Sequence, residues 1–145
     1  MDMQDDRLLV HMNYRKYTPE NIVSLEPNEV FVFGSNTEGI HGAGAARAAL
    51  DLFGAKFGQA EGLQGQSYAI VTKDLELGMR SIPLGDICKS IFKFLEFAKE
   101  NGDKIFYVTK LGCALAGYSI DEIGKLFMGF NIPNNVVLPV EFWEC

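Results

Sequence analysis

Apolar residues in this chain fall into two kinds of segment, and the two kinds alternate. Val30-Phe31-Val32-Phe33 is an unbroken apolar run, and SYAIVT (67–72), KIFYVT (104–109) and NVVL (135–138) are similar. Short runs without polar alternation predict strands covered on both faces. Between them the apolar positions recur at helical spacing. AGAARAALDLF (43–53) predicts a helix closed by Gly54, the usual place for a terminating glycine. A longer helix is predicted over 83–101, with Ile87, Ile91, Phe94, Leu95 and Ala98 on one face and Asn101-Gly102 as its stop. Another opens at Ser119, where Ser119-x-x-Glu122 matches a capping box. Thr18-Pro19-Glu20 predicts a short helix before Pro27-Asn28, with Thr18 as N-cap. Residues 1–17 are polar and unpatterned, an arm or edge segment. AKFGQAEGLQG (55–65) reads as a loop.

The resulting order after residue 28, β-α-β-α-β-α-β, predicts a layered α/β fold with a largely parallel sheet and right-handed crossovers. With 145 residues, 48% of them hydrophobic, the chain has the size and core of one domain. Residues 1–28 are expected to form an arm and short helix packed on a domain spanning 29–145. Lys and Arg number 13 against 19 Asp and Glu, a net charge of −6. That argues against general nucleic-acid binding, which needs a basic surface. It leaves room for one small anion held by backbone N–H groups. No apolar run approaches the ~18 residues of a membrane span, and MDMQDDRLLVHMNYRK does not read as a signal peptide. Three scattered cysteines without a CxxC, and only His11 and His41, predict neither a disulfide framework nor a metal site, and fit a reducing, cytoplasmic setting.

Ligands of open α/β sheets bind beyond the carboxyl ends of the strands. Three loops fall there: GSNTEGIHGAGAA (34–46), Lys73-Asp74, and LGCALAGY (111–118). Two of them carry glycines and enter a helix, the arrangement that presents N–H groups to phosphate; the same small residues also permit close strand–helix packing. The common phosphate motifs fail. Gly34 and Gly39 have the P-loop gap, but Ile40-His41 stand where Lys and Ser/Thr belong. Gly42-Ala43-Gly44 starts a dinucleotide fingerprint, but Arg47 takes its third small position, and the next strand ends in Thr72-Lys73 without an acid.

VFVFGSNTEGIHGAGAARAA, followed by YAIVTKD and YVTKLGCALAGYSIDEI, resembles the macrodomains over about residues 29–139. It is most similar to the branch of ADP-ribosyl-glutamate hydrolases and DNA ADP-ribose-removing antitoxins. The resemblance implies a three-layer α/β/α macrodomain-like fold with a mixed, mostly parallel sheet, and ADP-ribose or a related nucleotide diphosphate as ligand. It implies no cofactor. It places Gly34, Ser35, Asn36, Gly39, Gly42, Ala43 and Gly44 in a first ligand loop, with Asn36 near the distal ribose. Thr109, Gly112, Cys113, Ala114, Leu115, Ala116, Gly117 and Tyr118 belong to a second loop wrapping the diphosphate. Lys73 matches the lysine that attacks the anomeric carbon in the hydrolase branch.

The chain also departs from that branch. Ala116 stands where the hydrolases place an acid, Asp121 lies one helical turn further on, and no acid before residue 30 clearly matches the one that holds the adenine amine. The expected catalytic residues are Lys73, or Asn36 and His41 holding a water, acting at the distal ribose. Each residue has a plainer role too. Lys73 reads as a solvated lysine, Asn36 as a turn-fixing residue, His41 as a cap on a backbone carbonyl, and Tyr118 as packing. Cys113 reads as a small filler, since the sequence puts no base beside it. Three functions follow: a hydrolase of ADP-ribosyl linkages, a reader that binds without turnover, or an interaction domain whose glycines serve packing alone. The oligomeric state is not expressed in the sequence.

Overall fold

The computed structural model describes residues 17–145. Five strands, β1 (Glu29–Asn36), β2 (Gly62–Gln64), β3 (Ser67–Lys73), β4 (Ile105–Val108) and β5 (Val136–Val137), form one sheet in the order β2-β3-β1-β4-β5. β1 runs parallel to β3 and β4, and β4 parallel to β5, while β2 is antiparallel to β3. The helices are α1 (Gly44–Leu52), α2 (Leu84–Glu100), α3 (Ile120–Met128) and α4 (Val140–Trp143).

Successive strand residues point to opposite faces, and β1 shows what this does. Phe31 and Phe33 pack with Ala46, Ala49 and Phe53 of the α1 side. Val30 and Val32 pack with Ile91 and Phe94 of α2, Ile123 and Phe127 of α3, and Phe142 of α4. Val30–Phe33, buried on both faces of the central strand, therefore carry two cores, and the molecule has three layers: α1, the sheet, and α2 with α3 and α4.

Three elements differ from the sequence expectation. Thr18 does not cap a helix; no helix forms over 18–28. Its N–H donates to Leu138 O (2.9 Å), its hydroxyl to Val137 O (3.1 Å), and Tyr17 bridges Leu138 in parallel. The carbonyls of the β5 edge were open acceptors, and pairing with them outweighs a helix that Pro27 would stop after two turns. Within the expected loop 55–65, Gly62–Gln64 pairs as β2. A four-residue helix, α4, follows Pro139. Residues 1–16, including His11, lie outside the described residues.

The sheet register has one irregularity. Ser35 pairs with Val71, but Asn36 pairs with Lys73, so the ladder skips Thr72. Such a bulge re-aims side chains at a strand end. Here it sets Asn36 beside Lys73 and leaves Thr72 facing the loops.

Candidate functional site

The loops after β1, β3 and β4 meet at one end of the sheet because their strands are parallel neighbours. The first is stitched by Asn36. Its Oδ1 accepts from the N–H groups of Glu38 (3.2 Å) and Ile40 (3.0 Å), and its Nδ2 donates to Ile40 O at 2.6 Å. Ser35 Oγ donates to Ala60 O at 2.7 Å, tying the same loop to the segment before β2. The loop then runs into α1, whose N-cap, Ala43, offers no side-chain hydrogen bond, and whose first turn holds no acid. The opening N–H groups of this helix thus lack a partner from the cap.

The second loop leaves β4 through Thr109, whose hydroxyl donates to Val32 O at 2.8 Å. It closes where Tyr118 N–H reaches Gly112 O at 2.9 Å. Between these points the N–H groups of Gly112, Ala114, Leu115 and Ala116 donate to no acceptor among the described residues. All four residues line a cavity of about 210 Å³, together with Gly44, Ala45 and Ala46 of the α1 N-terminus. Two sets of open donors thus border one space.

That space continues in both directions. Through Gly34, Ala43, Ala46, Thr72, Leu115 and Ala116 it abuts a second cavity of about 270 Å³, which adds Asn36, Lys73, Ile40 and Leu75. Through Gly44, Ala45, Thr109 and Lys110 it abuts a third of about 320 Å³, walled by Thr18–Ile22, Phe31 and Pro139. The three make one groove over the sheet end: a distal cavity at Lys73, a central one between the loops, and an end cavity under the N-terminal segment. The glycines divide accordingly. A Cβ on Gly34 would meet Thr72 Oγ1 at 3.0 Å and Gly112 N at 3.3 Å, so that glycine serves packing. A Cβ on Gly44 would meet nothing within 4 Å, so the space beside it is open.

Of the expected site residues, Gly34, Asn36, Gly42, Ala43, Gly44, Lys73, Thr109, Gly112, Ala114, Leu115 and Ala116 border the groove, as does Ser35. Gly39, Cys113, Gly117, Tyr118 and His41 do not. His41 is 1% exposed. Its Nε2 donates to Gln64 Oε1 at 3.2 Å, an oxygen that also accepts from Lys56 N–H at 2.7 Å. Its ring stands edge-on to Phe33, and Nδ1 has no partner among the described residues. It braces the loop from behind. Tyr118 is 5% exposed and donates its hydroxyl to Ile82 O. Burial pushes the Cys113 thiol up to about 11, so it stays protonated near neutrality. Sequence reasoning overlooked Thr72, Lys110 and the wall Glu20-Asn21-Ile22. One signal was present: Thr-Lys closes β3 and directly follows β4.

Loop two is also held from outside. Arg80, at φ 55°, donates its N–H to Ala116 O at 2.6 Å and stacks its guanidinium 4.6 Å from the Tyr118 ring centroid. Both its terminal nitrogens pair with Glu122 at 2.8 Å. The hydrogen bond from Arg80, helped by the Ser119 N–H, holds the Glu122 carboxyl down at about 2 against an ordinary 4.5. A depressed carboxyl stabilises the fold above the unfolded value and loses that contribution as pH falls. Wild type should therefore lose urea resistance between pH 4.5 and about 2 in a step that Glu122→Gln lacks. Parallel pH profiles for the two proteins would contradict this.

Among the described residues, no helix is long and apolar enough to cross a membrane, and no three His, Cys, Asp or Glu side chains cluster as a metal site. No protein-family model and no curated protein matches the chain. Among solved structures the chain is similar to Thermosipho africanus DarTG, determined in complex with ADP-ribose. The TM-score is 0.52 at 20% sequence identity, over 79% of this chain and 38% of that one. This chain thus spans well under half the length of DarTG, and what the two share is the macrodomain-like fold.

Proposed function

We propose that this macrodomain-like chain binds ADP-ribose or a closely related nucleotide diphosphate. The observation that carries the reading is the pair of open N–H sets on the central cavity: the uncapped α1 N-terminus and the four loop-two amides. Backbone donors at a helix start suit a diphosphate, which brings acceptor oxygens and charge matched to the helix dipole. The flanking cavities then take the ligand's two ends. The distal ribose lies toward Asn36 and Lys73, and the base toward the end cavity, where Glu20 and Asn21 offer polar atoms beside Phe31 and Ile22. The likeness to a fold solved with ADP-ribose supports this assignment. The open space at Gly44 counts against a loop built for packing alone.

Binding without turnover is the reading the geometry supports best. The Asn36 amide is engaged by its own loop, His41 faces away from the groove, and Ala116 brings no acid. A hydrolytic reading rests on Lys73, which lines the distal cavity where an anomeric carbon would lie. The free cysteines fit a reducing, cytoplasmic setting. Calorimetry with ADP-ribose should give saturable binding that ribose 5-phosphate does not match, and no heat at millimolar ligand would sink the proposal. Release of ADP-ribose from a glutamate-linked substrate by wild type, abolished in Lys73→Ala, would move the assignment from reader to hydrolase.

A further inference from the structure

We propose that Lys110 is the side chain that reads the ligand's diphosphate charge, and that Glu141 restrains it. The inference rests on the groove being a nucleotide-diphosphate site. Lys110 lines both the central and the end cavity, at their junction. It is the one charged residue among those lining the central cavity; the others are glycine, alanine, threonine and leucine. Backbone amides contribute partial charge only, so an ammonium there sets apart a phosphate-bearing ligand from a neutral one of the same shape.

Its present partners are both carboxylates. Lys110 Nζ lies 2.5 Å from Glu141 Oε2 and 3.1 Å from Glu20 Oε1. An ammonium has three donors; two are taken, and one is left for an incoming anion. The two carboxylates outweigh the lysine by one charge, so the resting cluster is net negative beside a cavity built for an anion. The hydrogen bonds it donates to Glu141 and then to Glu20 hold the lysine above its ordinary value, and Lys110 holds Glu141 below its own, so the ion pair persists at neutral pH. Glu141 lines none of the three cavities. It acts on a ligand only through Lys110, as a positioning residue.

A purely structural cluster would behave differently. Glu20, Lys110 and Glu141 come from the N-terminal segment, the end of β4 and α4. If the pairs only tied these together, breaking either one would loosen the end cavity and weaken every ligand alike. Charge reading instead moves the two variants in opposite directions.

The experiment is calorimetry of wild type, Lys110→Gln and Glu141→Gln with ADP-ribose, adenosine and inorganic pyrophosphate. Lys110→Gln should lose about tenfold in affinity for ADP-ribose and for pyrophosphate, the size of one charge-assisted hydrogen bond, while its adenosine affinity stays put. Glu141→Gln should bind both phosphate ligands more tightly, again without change for adenosine. Lys110→Arg should restore most of the loss. The proposal is overturned if Lys110→Gln keeps its phosphate affinities, if all three ligands weaken together, or if both variants shift in the same direction. Wild type that binds pyrophosphate through Lys110 but ignores ADP-ribose would refute the ADP-ribose assignment and leave this one standing.

Discussion

Gly39→Ala should lower the thermal midpoint by roughly 6–15 °C, taking about 3 °C per kcal/mol for a chain of this size. Gly39 has φ +68°, in the left-handed region that costs a residue with a Cβ ~1–2 kcal/mol. The added carbon would lie 2.6 Å from Gly58 C and 2.7 Å from Gln59 N. Those are backbone atoms, which cannot swing aside as a side chain would. They are also held, since Gly58 N–H donates to Gly39 O at 2.9 Å. Overpacking of this kind adds ~1–3 kcal/mol. Gly58→Ala separates the two terms. Gly58 has φ +91° but open space where its Cβ would go, so only the conformational cost of ~1–2 kcal/mol applies. Equal midpoint losses for the two variants would refute the steric argument. The first loop should fail with the fold, because Gly39 N–H also donates to Asn36 O at 3.0 Å, and Asn36 organises the loop.

Ala43→Trp should do the opposite, weakening binding while leaving the fold intact. Ala43 is exposed, its backbone is extended at φ −155° and ψ 162°, and its side chain makes no capping bond that could be lost. It borders both the central and the distal cavity. An indole there would fill the junction of the two cavities, the space the proposed pose gives to the link between diphosphate and distal ribose. Making room would cost on the order of 1–3 kcal/mol, so ADP-ribose affinity should fall about tenfold to hundredfold. The thermal midpoint should match wild type within about 2 °C, less than 1 kcal/mol would produce. An unchanged dissociation constant would mean that the ligand does not pass this point. A large drop in midpoint would mean that Ala43 is a core position after all.

How much of this could be read from the letters depends on how far apart the contributing residues lie. Val30–Phe33 showed as a doubly covered strand because four adjacent apolar residues need no partner to be recognised. The α2 stripe was plain for the same reason, and the Ser119–Glu122 box is made by both of its hydrogen bonds. Thr18-Pro19 misled because the helix-start pattern is local, whereas the competing acceptors at Val137 and Leu138 lie some 120 positions away. β2 was hidden because a three-residue edge strand opening on glycine has no periodicity to show. His41 read as a loop residue open to ligand, but Gln64, 23 positions later, supplies the partner that allows it to be buried. Glu20 and Lys110 had no relation until residues 17 and 18 paired with Leu138, just past β5, the neighbour of β4. That the glycine loops border one groove was legible, and the end cavity was not.

The composition of the groove also decides which experiments can detect it. Eight of the thirteen residues lining the central cavity are glycine or alanine. An alanine scan deletes side chains, and here there are almost none to delete. A survey of that kind would register Lys110 and little else on this surface, and would leave the main-chain donors unseen. In the binding mode proposed here recognition is stored mostly in the path of the main chain, so informative substitutions must add bulk or deny an amide, as tryptophan or proline would. The same property frees the lining to drift among small residues without loss of the donors, so a site of this design can persist while its sequence signature wears away.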